Sequence, residues 1–265
     1  MTLRRNLRFI ALLVKMKLTR MMAFRLSFFG AFFADGTLFA VQLLTFAVIY
    51  GQVDAIGGWG RGQMLIFVGT FSLLNALNMV IYFFGVVNIP GKIREGALDL
   101  YLTKPGNTLL RLTFEEVSLG SSPLILLSAA IIFWGVKVTG ARVSFGLLLG
   151  YTGMVLLMTL LYYDMELILR TIPFFVISAS SIERLEGDML TLNFKIPGVI
   201  YKGFFKILFY FVLPYGVMAT IPTQLLSRAY TVQGLLYGVG ITAVFTAFAL
   251  WFWRFGLRHY KSASS

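Results

Sequence analysis

Residues 64–87 read MLIFVGTFSLLNALNMVIYFFGVV, and residues 88–106 continue NIPGKIREGALDLYLTKPG. The change of character at residue 88 decides the fold. Met64 to Val87 holds no charged side chain, and about 20 mostly apolar residues suffice for a helix to cross a bilayer. The segment after it is bracketed by Pro90-Gly91 and Pro105-Gly106, pairs that interrupt regular structure. Between the brackets Ile93, Ala97, Leu100 and Tyr101 recur at i, i+4, i+7 and i+8, with Lys92, Arg94, Glu95 and Asp99 around them. That spacing predicts a short amphipathic helix of about three turns. Gly96 in its middle costs about 1 kcal/mol against alanine. So short a helix is marginal alone in water, and it is expected to form by docking on lipid or a partner.

The rest of the chain repeats the first half of that pattern. Further apolar stretches run Leu26 to Tyr50, Val117 to Val136, Ser144 to Tyr163, Phe204 to Leu226 and Gly234 to Trp253. With Met64 to Val87 they make six expected spans. The composition agrees: 58% of residues are hydrophobic and 13% charged, against about 25% charged in a soluble domain. Disorder is excluded and a soluble globule disfavoured. The net charge of +12 would suggest nucleic acid in a soluble protein; here it reads as cations gathered on one side of a membrane, and no nucleic-acid partner is expected. With the N-terminus inside, nineteen Lys and Arg residues fall inside and four (Arg61, Lys137, Arg142, Arg228) outside. The expected architecture is all-α, with both termini cytoplasmic and residues 1–265 forming one domain.

Residues 1–25 are unlike a signal peptide, because Lys15, Lys17 and Arg20 interrupt the apolar stretch. Leu7, Ile10, Val14, Leu18 and Met21 share one helical face, with Arg4, Arg8 and Lys15 on another. That predicts an interfacial helix over 1–25, a bundle over 26–253 and a cytoplasmic tail over 254–265. The chain has no cysteine and one histidine, His259. Thiolate chemistry, Cys-ligated metal and His-dependent triads are thereby excluded or nearly so. The only Gly-Lys pair, Gly91-Lys92, lacks the first glycine and the Ser/Thr of a P-loop. No catalytic residue, metal or cofactor is expected in this chain.

The loop resembles the permease subunit of type-2 ATP-binding-cassette exporters, in its six-helix bacterial form. The residues that carry the resemblance are Ile93, Arg94, Gly96, Leu98, Asp99, Leu102, Lys104 and Pro105, with a weaker block of Leu213, Pro214, Pro222 and Leu226. The resemblance implies that residues 1–25 are an elbow helix. It also implies that Lys92, Ile93, Arg94, Glu95, Asp99, Leu100, Tyr101 and Lys104 belong to a coupling helix seated in a separate ATPase. That partner would bind ATP and Mg. A second permease copy or paralogue would complete the pathway in the bacterial cytoplasmic membrane. Short re-entrant helices would follow span five. The segment 171–193 departs from the pattern and reads equally as a cytoplasmic extension or an interfacial helix.

Polar residues within spans are candidates for function or for interhelical bonding: Asp35 in span one, and Asn75 and Asn78 on one face of span two. Asp164, Glu166 and Arg170 read as a helix end at headgroup level, with Glu166 and Arg170 spaced to pair. Gly146 with Gly150, and Gly234 with Gly238, form weak small-residue faces, and Pro214 and Pro222 invite kinks. The competing reading is a stand-alone secondary transporter using an intramembrane Asp. An intramembrane enzyme and a scaffold are less supported.

Overall fold

The computed structural model describes residues 10–13, 15, 25–118, 120–176 and 180–260. The interfacial helix expected over 1–25 lies outside them, apart from residues 10–13, 15 and 25. All regular elements among the described residues are helical.

Helix α1 (Arg25–Gln52) and helix α2 (Arg61–Ile81) form an antiparallel pair. They are joined by a turn in which Tyr50 Oη donates to the Trp59 carbonyl at 2.8 Å. The expected second span breaks at Tyr82, whose φ of −143° leaves the helical region, and resumes as α3 (Phe83–Val87). Two short helices, α4 (Ile89–Arg94) and α5 (Asp99–Leu102), follow, then α6 (Thr108–Phe114). Asn107 caps α6 by accepting from the Leu110 amide at 3.1 Å. These pieces lie at one end of the bundle, hereafter the near end.

Helix α7 (Ser122–Thr139) begins later than the expected Val117 because Pro123 in its first turn marks the start. It ends at Gly140, in left-handed conformation at φ +66°. Its contact with α2 is a glycine-mediated approach. A Cβ on Gly135 would lie 2.8 Å from Ile66 N and 2.9 Å from the Gly62 carbonyl, and one on Gly69 would lie 3.1 Å from the Ser128 carbonyl. Of the expected small-residue faces, Gly146 is in open space and Gly150 would meet Leu225 only at 3.6 Å, whereas a Cβ on the buried Gly238 would lie 3.2 Å from Ile221 and 3.5 Å from Met154 and Met158.

Helix α8 (Phe145–Thr171) starts at the expected cap, Ser144, but continues past Tyr163 to Thr171. Helix α9 (Ser180–Lys195) follows, within the segment 171–193 that the sequence leaves open. Its start meets the near end, where Glu186 pairs with Arg170. Its last turn lies beside the middle of α1 and α2: Gln42 donates to the Phe194 carbonyl at 2.9 Å and the Phe71 and Phe194 rings are 4.7 Å apart. Val199 and Ile200 then reach the α1–α2 turn, where a Cβ on Gly57 would be 2.8 Å from Ile200 Cγ1. Residues 180–200 therefore carry the chain from the near end to the far end.

The expected fifth span, Phe204 to Leu226, is not one helix. It is α10 (Gly203–Val212) and α11 (Tyr215–Leu226), bent by 80° at Leu213-Pro214. Pro214 cannot donate to a helical bond, and the turn before it is π-wound over Leu208–Val212. Both arms return to the far half: Ile200 precedes α10 at Gly57, and Leu225 closes α11 beside Gly150. The elbow dips inward to Tyr215, whose ring centroid is 6.5 Å from that of Tyr162. Burial, then Tyr210, holds the Tyr201 hydroxyl at about 12, so it stays a donor to Asn193 Oδ1 at 3.1 Å. Helix α12 (Val232–His259), capped by Thr231 at the Gly234 amide, returns to the near end. The expected boundary at Trp253 is exceeded by more than a turn.

Helices α2, α7, α8 and α12 are each long and apolar enough to cross a membrane. Helix α1 has the length, with an apolar part over Phe39–Gln52. The fold is that of an integral membrane protein. Helix α9 escapes a hydropathy reading because Glu183, Arg184, Glu186 and Asp188 fall within it.

Candidate functional site

Three features of this fold bear on function. The first is the near-end cap. Ile89 and Leu98 are fully buried, and Ile93 nearly so, in a cluster with Val86, Leu112, Leu167 and Trp253. Lys92 pairs with Glu115 and stands over the Tyr101 ring at 4.6 Å. Tyr101 Oη donates to the same Glu115 carboxylate at 3.0 Å. These contacts fix a loop whose outer surface is Arg94, Glu95, Leu100, Leu102, Thr103 and Lys104. Leu100 is 64% exposed and Leu102 41%. The continuous three-turn helix expected from Ile93 to Tyr101 is absent. Gly96 takes φ +70°, a conformation that a helix interior does not use, and it divides α4 from α5. The expected apolar face is divided with it: Ile93 turns inward and Leu100 outward.

The second feature is a buried ionic cluster. Arg170 Nη1 lies 3.0 Å from Glu186 Oε2 and its Nη2 lies 3.3 Å from Glu166 Oε2. Glu166 is 1% exposed, and Arg170 and Glu186 are 5% exposed. Tyr215 Oη donates to Glu186 at 3.4 Å. Asp164, also buried, accepts from Thr246 Oγ1 at 2.5 Å. Asp164, Glu166 and Arg170 are thus enclosed by protein, with Arg170 in the last turn of α8. The cluster joins α8, α9 and the α10–α11 elbow at one point. Glu186 and Tyr215 were not singled out from the sequence, since the partners come from segments far apart along the chain.

The third feature is the outer face of α9. Its inner face packs Glu186, Met189, Leu190, Asn193 and Phe194 on the bundle. Its other face exposes Arg184, Asp188, Thr191 and Lys195, at i, i+4, i+7 and i+11, with Leu185 exposed beside Arg184. None of the three charged residues makes an ion pair among the described residues. The exposed side chains of its neighbours are of another kind: Leu126, Phe133 and Trp134 on α7, Leu148 and Leu156 on α8, Leu236 and Val244 on α12. A charge at the middle of a membrane helix costs about 2.5–3.5 kcal/mol on insertion scales. Arg184 and Lys195 have stems long enough to reach an interface; Asp188 does not.

Asn78 is fully buried, with neither side-chain atom bonded among the described residues. Asn75, one turn away, is half-buried. The two are not brought together with the ionic cluster into one binding site. Asp35 lies in α1, but its side chain falls outside the described residues. Among the described residues no three His, Asp or Glu side chains are grouped as a metal site requires.

The sequence model of the family described as "ABC-2 family transporter protein" matches residues 37–264. The chain belongs to the ABC-2 transporter family. The matched span covers everything from the middle of α1 to the tail, so the near-end cap, the ionic cluster and the exposed face of α9 are all parts of one ABC-2 permease. No curated protein sequence and no solved structure matches the chain.

Proposed function

We propose that this ABC-2 permease is the membrane-spanning subunit of an ATP-driven exporter in a bacterial cytoplasmic membrane. It would work as a pair, with a second copy or a paralogue, above two ATPase subunits. ATP and Mg would bind in those partners, and the permease itself would do no covalent chemistry. The observation that carries this is the near-end cap. It presents Leu100 and Leu102 at the surface on a loop held from behind by Lys92, Glu115 and Tyr101. Exposed apolar side chains on a fixed loop suit a cleft in another protein. Force applied there passes through Ile89, Ile93 and Leu98 into α8 and α12 as a rigid-body motion. Arg94, Glu95, Asp99 and Lys104 would form the polar rim, in place of a single coupling helix.

The near end is cytoplasmic in this reading. Lys202 and Lys206, counted inside from sequence alone, follow Ile200 in the far half, and Lys195 ends α9. Sixteen of the 23 cations then count to the near side against seven elsewhere, Lys195 among the seven, still a positive-inside split. Six crossings result, by α1, α2, α7, α8, α9 and α12, with α10–α11 entering and leaving from the outside. The family does not favour the alternative of a stand-alone secondary transporter.

The test is co-purification of the chain with a co-expressed ATP-binding-cassette ATPase from the same source. Changing Leu100 and Leu102 together to Asp is expected to weaken that association at least about tenfold while the permease still folds. Undiminished association would refute the docking assignment.

A further inference from the structure

The outer face of α9 is charged where the exposed faces of α7, α8 and α12 are apolar, and this asks what covers it. Arg184, Asp188, Thr191 and Lys195 stand at helical rises of about 6, 4.5 and 6 Å from one another, a ladder of about 16 Å with charges alternating in sign. The helix that bears it runs from the Arg170 end of α8 to the level of Phe71 in α2. Two anchors fix its rotation about its own axis: Glu186 on Arg170, and the Phe194 carbonyl under Gln42. Turning the ladder inward would break both.

A second copy related by a two-fold axis along the membrane normal brings equal depths opposite each other. Arg184 then faces Arg184 of the second copy, Asp188 faces Asp188, and Lys195 faces Lys195. Like charges at equal depth oppose a dry contact, so two such faces stand apart with water between them. Lipid offers no replacement for that water, because polar groups in hydrocarbon go unsatisfied.

We propose that the exposed faces of α9 from two copies line a water-filled pathway. We further propose that its cargo is a hydrophilic solute bearing charges or hydroxyl groups, not a membrane lipid. An apolar cargo would strip the ladder of water and return no hydrogen bonds. A charged or hydroxylated one replaces them rung by rung. Asp188 and Thr191, at the centre of the ladder, set which charge passes. The proposal rests on the exporter reading above for its second copy.

The natural absence of cysteine allows a direct test on the full chain, reconstituted with its ATPase in phosphatidylglycerol–phosphatidylethanolamine vesicles. Single variants Asp188→Cys and Thr191→Cys are compared with Leu156→Cys and Val244→Cys on the apolar surface. The probes are an ammonium- and a sulfonate-bearing methanethiosulfonate, with a lipid-soluble maleimide as control. The proposal expects the charged reagents to react at least about tenfold faster at 188 and 191 than at 156 and 244. Equal rates, or reaction only with the maleimide, would overturn it. So would protection from all three reagents together with efficient cross-linking between copies, which marks a dry interface. Should Asp188→Cys fail to fold, Thr191→Cys carries the test alone. Adding Asp188→Asn to Thr191→Cys should shift the sulfonate-to-ammonium rate ratio severalfold towards sulfonate; an unchanged ratio removes Asp188 from charge selection. Fast labelling with no ATPase bound supports the hydrated face and counts against the exporter reading alone. Slow labelling with the ATPase bound counts against the hydrated face alone.

Discussion

Arg170 lies between two buried carboxylates, and the arrangement holds only as a set. Removing one member of a buried ionic group leaves charge uncompensated, at a cost of about 3–5 kcal/mol. Arg170→Met is therefore expected to destabilise the protein by about that amount in a thermal melt in detergent. Adding Glu166→Gln and Glu186→Gln should restore much of the loss, since the variant then buries no unpaired ion. A single variant as stable as the parent would show that the cluster holds nothing together. The sequence exposes one edge of this set: Glu166 and Arg170 are spaced to pair, and they do. It hides Glu186 and Tyr215, because spacing along a helix says nothing of partners brought in by another helix.

Gly96 and α9 show why some elements were hidden. The periodicity of Ile93, Ala97, Leu100 and Tyr101 is real, yet a left-handed glycine divides it, and a pattern of side chains does not record φ. Helix α9 carries too many charges to read as a crossing segment, although its buried face pays out an amphipathic pattern once the bundle is present to receive it. The apolar helices α2, α7, α8 and α12 were legible because lipid imposes a single requirement along their whole length. The close approach of α2 and α7 was not foreseen at Gly62, Gly69 and Gly135, since many glycine spacings arise in a chain with 26 glycines. Gly135→Ala places a Cβ against the backbone of residues 62 and 66, and backbone cannot give way as a side-chain tip can. A loss of about 1–3 kcal/mol is expected, read as a lower melting temperature; an unchanged melt would mean that α7 can shift away freely.

The whole molecule is a bundle whose two ends are built differently. The near end bears a partly apolar cap, and the far half bears a bent elbow joined to the buried ionic cluster through Tyr215. In the proposed coupling, an input at Leu100 and Leu102 would pass by way of Leu167 and Arg170 to α9. The cation excess that first suggested a membrane orientation survives the relocation of Lys202 and Lys206, though with a smaller margin. Those two lysines also separate the two possible topologies. If α10–α11 were a span and α9 cytoplasmic, residue 202 would be inside the cell; if α9 crosses, residue 202 is in the outer half. The most direct measurement is labelling of Lys202→Cys in intact cells with a membrane-impermeant maleimide, beside Lys104→Cys. The account predicts that residue 202 is labelled from outside and residue 104 only after the cells are opened. Protection of residue 202 until the cells are opened, with residue 104 likewise protected, would contradict it.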